Sequence, residues 1–170
     1  MGKKIDVDAA PTRFGTSFPP PYDVQCLGRR RYRLGEAAGL KQFGVNLLRL
    51  PAGQWSSQRH WHESDDELIY VLEGEVTLVT DAGEEVLRAG DCAGFKAGER
   101  DGHHLQNRSQ REAVVIEVGG RSGGPAEYPD IDLVSAPDAS GRFLTPNPAS
   151  DTIYFHRDGT PYPPTSVKHR

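Results

Sequence analysis

Cysteine is nearly absent from this chain: among 170 residues there are only Cys26 and Cys92. Two cysteines 66 positions apart form neither a disulfide framework nor a thiolate metal site. Both are read as reduced thiols, with Cys92 in or near the core. Long apolar runs are missing too, since no stretch approaches the roughly 18 apolar residues of a membrane-spanning helix. The opening MGKKIDVDAAPTRF carries no apolar segment of the secretory kind. Gly2 lacks a myristoylation context, because position 6 is Asp rather than Ser or Thr. A soluble, cytoplasmic protein without a membrane partner is expected. A strong charge bias is also lacking: 20 basic and 24 acidic residues leave a formal net charge of −4. That balance argues against a dedicated nucleic-acid partner. One basic cluster, RRRYR at Arg29–Arg33, reads as a solvated strand face or loop.

Glycine (19) and proline (13) are plentiful and scattered, as in a chain of short strands joined by turns. FPPPYD, residues 18–23, should be extended because consecutive prolines exclude helix. LGEAAGLKQ, residues 34–42, has room for a single helical turn. From Phe43 onward, QFGVNLLRL, ELIYVLEGEVTLVT, EEVLRAGD, GHHLQN and AVVIEV are strand-like runs punctuated by PAG, EG, DAG, AGD and KAG. The rhythm predicts an all-β antiparallel sandwich or barrel over 43–119. An irregular N-terminal extension (1–42) should pack on it, and a C-terminal extension (120–170) should follow. Several runs carry apolar residues on both parities, which predicts that both sheet faces are covered, the outer one by a tail or a second subunit. Residues 135–150 have loop composition, and TIYF at 152–155 reads as a last strand before an Asp158-Gly159 turn.

RHWHESDDELIYVLEGE, residues 59–75, bears the chemistry. Residues two apart on a strand share a face, so His60 and His62 can both point inward while Trp61 points away. Glu67 shares its side of the next strand with Ile69 and Val71, and a carboxylate there is costly to bury unless something positive meets it. In GHHLQN, His103 shares its face with Leu105 and His104 with Gln106. That favours His103 as an inward ligand and leaves His104 outside or in a hydrogen bond. Converging imidazoles with a carboxylate are typical ligands of first-row metals. The same residues also suit a plain hydrogen-bonded polar cluster. His156 and His169, far along the chain, read as ordinary polar residues.

The pattern from Gly53 through His60, His62 and Glu67 to Gly74, G-x6-H-x-H-x4-E-x6-G, resembles the first signature of the cupin superfamily. GDCAGFKAGERDGHHLQN, from Gly90 through His103 to Asn107, resembles the second, with Lys96 where that signature has proline. The resemblance implies a double-stranded β-helix, or jelly-roll, barrel, commonly a homodimer. It also implies a divalent metal (Fe, Mn, Ni or Zn) held by His60, His62, Glu67 and His103. Such a centre leaves positions open for a small-molecule ligand or substrate, and can polarise a carbonyl or, if redox-active, activate oxygen. Metal-dependent oxygenation, isomerase or lyase chemistry, and non-catalytic ligand binding or sensing all remain open. Parity places no general acid or base on the inner face; Lys96, Glu99 and Arg100 lie in the loop before His103.

Overall fold

The structure, a computed structural model, describes residues 2, 4–135 and 154–163. Short alternating runs and frequent turns produce thirteen strands there: β1 (Thr12–Phe14), β2 (Arg30–Tyr32), β3 (Phe43–Leu50), β4 (Trp61–His62), β5 (Glu67–Glu73), β6 (Glu75–Thr80), β7 (Gly83–Arg88), β8 (Cys92–Phe95), β9 (His104–Gln106), β10 (Ala113–Gly120), β11 (Ala126–Tyr128), β12 (Leu133–Ser135) and β13 (Tyr154–Phe155). The one helical turn expected after Arg33 is α1 (Leu34–Ala37). Residues 136–153 and His169 lie outside the described residues.

All pairing is antiparallel. One sheet has the order β1-β2-β3-β10-β5-β8; β7-β6-β9 and β13-β12-β11-β4 form two others. An isolated bridge between His60 and His103 joins the last two into one layer, and its paired backbone bonds run at 3.2 and 2.8 Å. The result is a jelly-roll barrel. Non-consecutive neighbours such as β3 and β10 are what bring residues from distant segments onto one wall.

Alternation decides what faces inward. Ile69 and Val71 of β5 are buried while Leu68, Tyr70 and Leu72 are exposed. Val71 pairs with Val115, which pairs with Leu48, so one interior row crosses three strands. These residues, with Leu50, Val76, Leu78, Leu87, Leu105 and Ala113, form an aliphatic core. Each large side chain buried there is worth about 1.5–3 kcal/mol of transfer free energy. A second, aromatic core joins the two extensions: Phe18 and Cys26 from one, and Ala126, Tyr128, Leu133 and Tyr154 from the other. At Gly74, between β5 and β6, φ is +75° and a Cβ would stand 3.1 Å from the Ala113 Cα, so the turn needs glycine.

One expectation changes. Cys92 is exposed and Cys26 is the buried thiol, because Cys92 pairs with Tyr70 on the outward side of the sheet. Nothing among the described residues covers that outward side, where Leu68, Tyr70 and Leu72 keep 45%, 41% and 43% exposure.

Candidate metal centre and its cavity

His60 and His62 stand on one layer, two residues apart, and Glu67 begins the facing strand β5. Their ligand atoms lie within 4.8 Å of one another. Oε2 of Glu67 is 3.7 Å from His60 Nε2, 3.5 Å from His62 Nε2 and 3.0 Å from His103 Nε2. The residues expected to converge do so, with His103 placed beside the triad by its hydrogen bond to Glu67. Gly119 is the cross-strand partner of Glu67. Its lack of a side chain leaves the carboxylate room, since a Cβ there would already sit 3.5 Å from Oε1.

Electrostatics keep this cluster ready for a cation. Burial pushes the His60 imidazole down to about 3, with Glu67 opposing and His62 and His103 adding to the fall. His60 is therefore neutral, and its Nδ1 contacts the Gln58 carbonyl at 2.9 Å and Ser57 Oγ at 3.2 Å. A proton on Nδ1, donated to the carbonyl, turns the Nε2 lone pair toward Glu67. Burial raises the Glu67 carboxyl, but the His103 hydrogen bond, the largest opposing influence, outweighs it and the carboxyl falls to about 2. Nδ1 of His62 and of His103 is buried without a partner. The donors of His60, His62 and Glu67 lie close enough together to suit a metal, with His103 against the carboxylate: bonds of about 2.1 Å at 90–120° place ligand atoms roughly 3.0–3.6 Å apart, and the separations from Oε2 are 3.0–3.7 Å.

His104 is engaged elsewhere. Its Nδ1 meets the Ser57 carbonyl at 3.0 Å and its Nε2 the Gln106 amide at 2.9 Å. Asn107 is fully buried and structural: Nδ2 donates to the carbonyls of Leu50 and Arg111, both at 2.7 Å. Lys96 and Glu99 line a second cavity of about 260 Å³ that touches His62 and His103, whereas Arg100 lies over the Trp61 ring. His156 bonds Asp132 at 2.7 Å, well apart from the cluster.

His60, Glu67 and His103 line a cavity of about 370 Å³ that also has basic side chains in its lining, whereas His62 faces the smaller one. Arg13 of β1 pairs with Arg31 of β2, and Arg31 pairs with Leu48, which faces inward. Arg13 and Arg31 therefore face inward as well, and alternation sends Arg29 and Arg33 to the same side. All four line the cavity. The solvated-face reading of Arg29–Arg33 thus fails: Arg29 is buried and Arg31 half-buried. Glu117, paired with Ile69 on the inner face, receives Arg31 through two bonds of 2.6 and 2.7 Å. Tyr128 stacks on His60 with ring centroids 5.6 Å apart, and burial followed by Tyr154 pushes its phenol well above the ordinary range. Sequence reasoning missed these groups. The alternating arginines of RRRYR were the available signal; Glu117, Tyr128 and Tyr154 had none without the sheet order.

A jelly-roll barrel with imidazoles and a carboxylate meeting at one mouth defines a class, and the comparisons identify it. The Cupin_2 profile, a cupin domain, matches residues 46–119. A sugar phosphate isomerase of the cupin superfamily from Silicibacter pomeroyi DSS-3 is 38% identical, with 98% of this chain and 100% of that one covered at a TM-score of 0.83. The chain belongs to the cupin superfamily. A candidate sugar phosphate isomerase from Acidithiobacillus ferrooxidans ATCC 23270 is 28% identical, with 63% of this chain and 69% of that one covered at a TM-score of 0.60. A predicted oxalate decarboxylase from Thermotoga maritima shares the fold at 20% identity, with 69% and 98% coverage and a TM-score of 0.56. No curated protein matches the chain.

Proposed function

We propose that this cupin is a metal-dependent isomerase of a phosphorylated sugar, with His60, His62, Glu67 and His103 as the ligand set. One observation carries the reading: His60, Glu67 and His103 of the cluster line the same cavity as Arg13, Arg29, Arg31 and Arg33. A bound divalent ion polarises a substrate carbonyl and acidifies the carbon beside it. Glu117 and Tyr128 line the same cavity outside the ligand set, and supply a carboxylate to accept a proton and a phenol to donate one. The arginines hold the anionic end of the substrate. A polar, arginine-lined cavity also favours isomerase over oxygenase chemistry, for which a narrow apolar pocket is the better container. The 38% identity to a sugar phosphate isomerase supports the same choice.

The test is elemental analysis of the purified protein, followed by incubation with aldose and ketose phosphates in D2O. Metal-dependent interconversion with deuterium appearing on the carbon beside the carbonyl is expected. Oxygen uptake without isomerisation would sink the proposal. His104→Ala should leave the metal content unchanged.

A homodimer in the cytoplasm is part of this proposal. Leu68, Tyr70 and Leu72 form a line of exposed apolar side chains on the outer sheet face, as an interface between copies requires. Cys26 and Cys92 are free thiols, in keeping with a reducing compartment. Sedimentation of wild type against Leu68→Lys/Leu72→Lys checks the pairing.

A further inference from the structure

We propose that the Arg29 end of the cavity is a binding subsite for a phosphate monoester, anchored by the Arg29 guanidinium with Arg13 and Arg31 beside it. The proposal deepens the isomerase reading and rests on it for the kind of substrate. The subsite itself belongs to the N-terminal strands and stands or falls separately.

Arg29 is only 5% exposed. Its Nε donates to the Gly15 carbonyl at 2.9 Å and its guanidinium carbon lies 5.5 Å from the Phe18 ring centre. Its Nη1 is buried with no hydrogen-bond partner. Neighbouring arginines are matched: Arg31 by Glu117 at 2.6 Å and Arg33 by Glu36 at 2.7 Å. Among the described residues no carboxylate stands within ion-pair distance of Arg29. A buried guanidinium without a counter-anion is costly. Burial, and then Arg31, push its pKa down to about 9. The group gains directly from an arriving anion.

The geometry selects the anion. A guanidinium presents a planar fork of donors that fits phosphate or carboxylate. Arg29, unlike Arg31, has no carboxylate beside it, and a phosphate dianion brings two negative charges and three acceptor oxygens to its fork. The cavity, about 370 Å³, falls in the range of small-ligand sites. His60, Glu67 and His103 line the same cavity, so a substrate anchored at Arg29 shares its space with those groups.

Inorganic phosphate titrated calorimetrically into the full chain, as purified and again after chelation, tests the subsite at constant ionic strength. Saturable one-site binding that survives chelation is expected, weakened at least about tenfold in Arg29→Gln, a loss in the range of one charge-assisted hydrogen bond. Arg29→Lys should bind severalfold more weakly than wild type, and Arg49→Gln, on the outer face, should bind as wild type does. Absence of saturable phosphate binding by wild type overturns the subsite, as does acetate binding as tightly as phosphate. Should Arg29→Gln not fold, wild-type affinity in folded Arg29→Lys overturns it as well. Phosphate binding without sugar-phosphate isomerisation sinks the isomerase and leaves the subsite. Isomerisation with an unchanged KM in Arg29→Lys does the reverse.

Discussion

The two walls of the cavity are built by different means. The imidazole–carboxylate wall sits at one mouth of the aliphatic barrel, and three of its four residues lie within eight positions of one another, His60 to Glu67. The arginine wall comes from β1, β2 and the residues flanking β2, beside the aromatic core that joins the terminal segments. The first gathers negative charge and lone pairs, the second positive charge. In the proposed function a cation and an anion would be received in one space; the direct ion pair there is Glu117 with Arg31, and the Glu67 charge also acts on Arg31. Charge separation across a cavity is held by the fold: collapse of one wall onto the other is prevented by rigid strands on each side.

The largest effect should come from removing a member of the first wall. Glu67→Ala and His60→Ala should each lower metal affinity at least about a hundredfold, since the loss of an orienting neighbour alone costs 10–100-fold. Metal content by elemental analysis checks this, and full retention in both variants breaks the comparison. Next is the bond between the walls. Glu117→Gln leaves Arg31 uncompensated beside Arg29, and breaking such a pair should cost about 3 kcal/mol of folding stability by urea denaturation. Added phosphate should stabilise this variant more than wild type, because the anion replaces the missing carboxylate.

How much of this was legible in the sequence follows from the same contrast. His60 and His62 alternate with the period of a strand, so parity put them on one face, and parity in the next strand set Glu67 beside the apolar Ile69 and Val71. His103 needed one further step, the sharing of a face with Leu105. The arginine wall also alternates, as Arg29, Arg31 and Arg33, but its direction depends on Arg31 lying opposite Leu48, with 16 positions between them. Without that pairing, a basic run reads as solvated. Glu117 sits in an apolar run and is explained only by Arg31. Cys92 misled for the same reason: its strand joins the outer side of Tyr70, and apolar neighbours in sequence do not reveal which side of a sheet they occupy.

Two smaller effects test whether the walls depend on their scaffolds. Asn107→Ala removes amide donors from the carbonyls of Leu50 and Arg111 in the buried interior. It should cost about 2 kcal/mol while leaving metal content unchanged; concurrent metal loss at full stability would assign Asn107 to the centre instead.

The smallest effect lies at the seam between barrel and C-terminal extension. Arg59, next to His60, donates to Asp130 at 2.7 and 2.6 Å and also pairs with Asp81. The hydrogen bond from Arg59 lowers the Asp130 pKa. A depressed carboxylate adds stability that is fully present above its unfolded value, near 3.9, and is lost as pH falls through the lower folded value. Asp130 is 55% exposed, so solvent screening holds the contribution below about 1 kcal/mol. Asp130→Asn should therefore destabilise the protein slightly at pH 7, and the difference from wild type should vanish in melts run in strong acid. A difference that persists unchanged there would mean that Asp130 acts through packing, and that the extension is fastened to the barrel by its aromatic core alone.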